Sequence, residues 1–153
     1  MASVREALSE AGCDPTDRQG CLRAALRIAR KVERLMGDDG RRALVALERC
    51  AQGEIPEDLA EVLAIFRGPY LLNVDGRTTE AVTRRANLAA GGPLEYAVDP
   101  HSEAPVDAVQ CAWHWAMWPL AWEMDGFDAD VNTATGEIVR RNMALAICGE
   151  RLV

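Results

Sequence analysis

Apolar residues recur at steps of three and four through the first half of this chain, and glycine closes each run, which commits it to helices rather than strands. Val4, Leu8 and Ala11 share a face of a short helix that Gly12 stops. Thr16-Asp17-Arg18-Gln19 has the capping-box spacing, so a helix is expected to open there. That helix carries Leu22, Ala25, Ala29, Val32 and Met36 inward and ends at Gly37. Asp38-Asp39 caps the next, with Ala43, Leu44, Leu47, Cys50 and Ala51 inward and Gly53 at its end. Pro56 suits the first turn of a third, whose stripe is Leu59, Val62, Leu63 and Phe66 and whose stop is Gly68-Pro69.

The second half is read with looser punctuation. Residues 70–74 are extended or loop, followed by a turn at Asp75-Gly76. A helix is expected from Thr79 to Ala90, broken by Gly91-Gly92-Pro93, with a short strand from Leu94 to Val98. An aromatic helix follows Pro105, a loop or small hairpin spans Asp125 to Gly136, and a last helix runs from Glu137 to about Cys148. The expectation is therefore an all-α fold: one domain over residues 1–153, about six helices around a central tryptophan-rich helix, with little or no sheet.

Charge is distributed unevenly. Between Ala86 and Val139 there is no lysine or arginine, and that window holds nine carboxylates and all four tryptophans. The rest of the chain is close to neutral, so the net charge of −7 originates there. An acidic balance opposes nucleic-acid binding, which needs a basic footprint. No apolar run reaches the roughly 20 residues of a membrane span, and the N-terminus lacks the apolar core of a signal peptide. Five cysteines without a CxxC pair fit thiols packed as small hydrophobes in the reducing cytoplasm.

On a helical wheel Cys111, Trp115, Trp118 and Trp122 fall in one narrow arc, with Trp113, Ala116 and Leu120 opposite. A helix apolar on both sides is expected to be central, its aromatic stripe in the core. The sharper alternative is that Trp118 or Trp122, near the helix end, anchors a partner. Pro119 is expected to kink or stop this helix. Asp107, Gln110 and His114 follow one line along it, the spacing of a buried histidine held by a carboxylate or of a proton-transfer pair. Cys111 beside His114 has the elements of a nucleophilic pair, but an apolar setting raises a thiol pKa and keeps it inert.

Metal chemistry finds little support. Asp128-Ala129-Asp130-Val131-Asn132 begins like a calcium loop, then has Thr133 and Val139 where glycine and glutamate are needed. His101 and His114 are the only histidines, and no cysteines have zinc spacing. Phosphate-loop, nucleophile-elbow and HExxH motifs are absent, so no cofactor is expected and a binding protein is favoured over an enzyme.

Leu26 to Val32, Asp38 to Leu44 and Ala46 to Ile55, in the N-terminal third of this chain, together resemble the N-terminal half of helical immunity proteins of bacterial polymorphic toxin systems. The resemblance implies a small helical bacterial protein that neutralises a toxin. From the residues, the leading expectation is an acidic protein-binding module for a basic partner, contacted by Trp122, Asp125, Asp128 and Asp130. The alternative is a pocket for a small cationic ligand, lined by Asp107, Cys111, His114, Trp115 and Trp118, since tryptophans beside carboxylates form aromatic cages. A third is a subunit or scaffold, including a homo-oligomer.

Overall fold

A computed structural model describes residues 4–14, 16–68, 70–71, 78–98, 105–126 and 134–151. The described residues form an all-α bundle of seven helices with no strand: α1 (Val4–Glu10), α2 (Arg18–Arg30), α3 (Asp38–Ala51), α4 (Leu59–Phe66), α5 (Thr79–Val98), α6 (Val106–Asp125) and α7 (Ala134–Arg151). A 3-10 turn, Glu33–Leu35, follows α2.

The glycine punctuation is present. Gly12, Gly53 and Gly68 take φ of 75°, 87° and 77°, the left-handed conformation that lets a chain leave a helix without a Cβ clash. The capping box is not. Thr16 turns back, its hydroxyl and backbone N–H both donating to Asp14 Oδ1 at 2.7 and 2.8 Å, while Asp17 takes the cap position of α2 without a side-chain bond. The α-helical part of α2 ends at Arg30, yet Val32 and Met36 are buried because the tighter turn keeps them inward.

The largest departure is α5. It runs unbroken through Gly91, Gly92 and Pro93, so the expected break and the strand at Leu94–Val98 do not form. The glycines serve packing. A Cβ on Gly91 would stand 2.6 Å from the Phe66 ring of α4, and one on Gly92 would stand 2.5 Å from Cys111 Sγ of α6. Close approach of neighbouring helices, rather than chain reversal, explains them. Pro119 likewise lies inside α6 without ending it.

α5 and α6 lie side by side in opposite directions: Arg85 meets Trp118, and Gly92 meets Cys111 and Trp115. α2 and α3 pack on α5, α1 and α2 on α6, and α7 closes the bundle against α6, α1 and α2. One core runs through them all, with Leu8, Ile28, Leu47, Leu94, Val109, Met143 and Ile147 fully or almost fully buried. α6 therefore packs against α1, α2, α5 and α7.

Candidate functional site

Which way α6 faces decides where its aromatic side chains go. Its buried face is Val106, Ala108, Val109, Ala112, Trp113, Ala116, Pro119 and Ala121. Alanines there let α5 and α2 approach closely. The arc of Cys111, Trp115, Trp118 and Trp122 is only half-buried. The expectation that this stripe is core is met only in part: alanines fill the most buried face, Trp113 alone of the four is fully in the core, and Trp115 packs half-buried against it where Gly92 of α5 leaves room.

The Asp107–His114 pair does not form either. His114 is exposed, and its ring meets only the edge of the Trp115 indole, centroids 4.8 Å apart. Asp107 lies towards the other end of the helix, and the Tyr96 hydroxyl pKa is pushed upward by burial first, then by Cys111, Asp107 and Glu95. Cys111 is pushed up to about 11, chiefly by burial, so it is a neutral thiol at ordinary pH and no nucleophile.

Two concavities flank α6. The first, at the α5–α6 seam, has a volume of about 270 Å³ and is lined by Arg85, His114, Trp115, Met117 and Trp118. It brings together three of the residues expected there. Cys111 is turned toward Gly92 beside it, and Asp107 lies about 16 Å from Trp118 at the helical rise of about 1.5 Å per residue. Arg85 is the residue that sequence reasoning missed. Its guanidinium lies over the Trp118 ring, 4.5 Å from the centroid. It sits just before the base-free window, and only the antiparallel return of α6 along an unbroken α5 carries it to the tryptophans.

The second concavity, about 450 Å³, runs between α6 and α7. Leu120, Met124, Val139, Met143 and Leu145 line it. Met124 and Leu145 are 49% and 60% exposed, unusual for large apolar side chains placed together. Its edge carries Lys31 and Arg34, the latter gripping Glu123 through two hydrogen bonds, one of 2.8 Å from Nε to Oε2. Trp122, half-buried, and Asp125, exposed, occupy the same end of α6. Asp128 and Asp130, and with them the calcium-like segment, lie outside the described residues.

The acids of the base-free window do not gather on one patch among the described residues. Glu95 and Asp107 share one end of the α5–α6 pair, whereas Glu123 and Asp125 stand about 24 Å or more along α6. Glu123 is already neutralised by Arg34. Among the described residues no cluster of three or more histidines, cysteines or carboxylates could hold a metal ion, and no helix is long and apolar enough to cross a membrane. No family model, no curated protein and no solved structure matches this chain.

Proposed function

We propose that this protein is a protein-binding module, and that its docking surface is the α6–α7 groove together with the Trp122–Asp125 end of α6. The observation that carries this reading is the pairing of exposed Met124 and Leu145 over a groove floored by buried Val139 and Met143. Contiguous exposed apolar surface with a polar rim is what partner-binding faces expose. The occupant is an amphipathic segment of a basic protein: its apolar side fills the groove and its cations face Asp125 at the end of α6, drawn by the net charge of −7 on the whole chain. Neutralisation of a basic toxin, as an immunity or inhibitor protein would perform it, is the form of this function that the N-terminal resemblance favours.

The test is capture from host lysate with the wild-type protein, Leu145→Glu and Asp125→Lys side by side. Both side chains are exposed, so neither substitution disturbs the core. A basic protein held stoichiometrically by the wild type should bind Leu145→Glu at least about tenfold more weakly, as expected for a groove anchor. Asp125→Lys should slow its association, and the difference should shrink as salt rises. A partner held equally by all three proteins, or one that is acidic, would remove the groove from the interface.

A further inference from the structure

The α5–α6 cavity is separate from the docking groove and has its own chemistry. A cation-binding cage needs an open aromatic face and nearby carboxylates. Here the Trp118 face is covered by the protein's own Arg85, and among the described residues no carboxylate lines the cavity. What remains is one guanidinium, one exposed imidazole, two indoles and the thioether of Met117. Neighbouring Arg84 is fully engaged, donating to the Tyr70 carbonyl at 2.6 Å and to Glu80 at 2.8 Å. Arg85 makes no ion pair with any described residue, and stacking on Trp118 holds its fork at the cavity wall. Partial burial strips water from this guanidinium and holds its pKa below the ordinary value, with no acid among the described residues to offset that cost.

From this arrangement we propose that the α5–α6 cavity binds a small aromatic carboxylate. The planar guanidinium of Arg85 presents the two parallel donors that a carboxylate accepts. Trp115 supplies a flat apolar wall for an aromatic ring, Trp118 holds the guanidinium beside it by stacking, and the sulfur of Met117 favours a ring edge. His114, steadied edge-on by Trp115, stands at the cavity wall as a further polar contact. A volume of about 270 Å³ falls just below the range of roughly 300–1,000 Å³ typical of drug-sized sites, which limits the ligand to one or two rings.

Benzoate is the probe, with benzamide and benzyltrimethylammonium as the neutral and cationic counterparts of similar size. The readouts are calorimetry and the indole N–H signals of the four tryptophans in nitrogen-15 NMR spectra. Benzoate should saturate the protein and shift the Trp115 and Trp118 signals, with Trp113 unmoved; benzamide should bind at least about tenfold more weakly and the ammonium compound not at all. Arg85→Gln and Trp118→Leu should each weaken benzoate at least about tenfold, and Leu145→Glu, in the separate groove, should leave it unchanged. An unchanged set of indole signals at about 10 mM benzoate overturns the proposal, as does equal binding of benzamide or undiminished affinity in Arg85→Gln. The folded state of each variant is read in the same spectra from the Trp113 signal, which reports the core.

Discussion

At the scale of single residues, Asn87 shows how one polar side chain can organise three elements. It is 3% exposed, in the middle of α5, and every polar atom of its amide meets a partner from elsewhere. The backbone N–H of Gly37, just before α3, donates to its Oδ1 at 2.9 Å, and its Nδ2 donates to the Tyr70 hydroxyl at 2.9 Å. That hydroxyl in turn donates to Asp39 Oδ2 at 3.2 Å. Gly40 of α3 sits so close that a Cβ there would stand 2.9 Å from the Asn87 backbone. Asn87→Leu should therefore destabilise the protein by about 1–3 kcal/mol, because it leaves the part-buried Gly37 donor and the Tyr70 hydroxyl without their amide partner. Chemical denaturation should show a lower midpoint at unchanged slope. No local pattern marks this residue, because its partners lie 17 and 50 residues away.

At the scale of elements, the lesson is in α5. Gly-Gly-Pro is a strong turn signal, and locally nothing distinguishes it from one. Here it continues a helix because Phe66 and Cys111 fill the space where side chains would otherwise be. A sign reversal follows. Alanine is the better helix former than glycine by roughly 1 kcal/mol, so propensity alone makes Gly91→Ala stabilising. The 2.6 Å approach to the Phe66 ring makes it destabilising instead, by about 1–3 kcal/mol, the usual cost of overpacking. Thermal unfolding of that single variant checks it, and a melting temperature above wild type would show that the Phe66 ring gives way freely. The same close packing explains α6. The wheel identified its two apolar sides correctly, and it could not rank them, because the choice depends on the shape of the helix opposite.

At the scale of the whole molecule, burial of ionisable groups sets a pH limit on stability. Cys21 and Cys111 are both pushed up to about 11 by burial, and Cys50, Tyr70 and Tyr96 move upward from the same leading cause. The native state therefore keeps protons that the unfolded chain releases from the ordinary thiol value upward. Stability should be unaffected by these groups below that value and should decline as pH rises from about 9 towards 11. Melting curves across that interval should fall more gently in a Cys21→Ala, Cys111→Ala protein than in the wild type; an identical decline would assign it to other groups. The helical class, the glycine exits at Gly12, Gly53 and Gly68 and the core stripes of α2, α3 and α4 were legible in the chain, because periodicity and glycine stops act over a few residues, whereas α2 ends at Arg30 rather than Gly37 and α4 begins at Leu59, after Pro56. The continuity of α5, the half-buried placement of three tryptophans, the separation of Asp107 from His114 and the arrival of Arg85 over Trp118 were decided only in three dimensions. Each of those depends on which surfaces meet, and close packing between distant segments, not local preference, determines that.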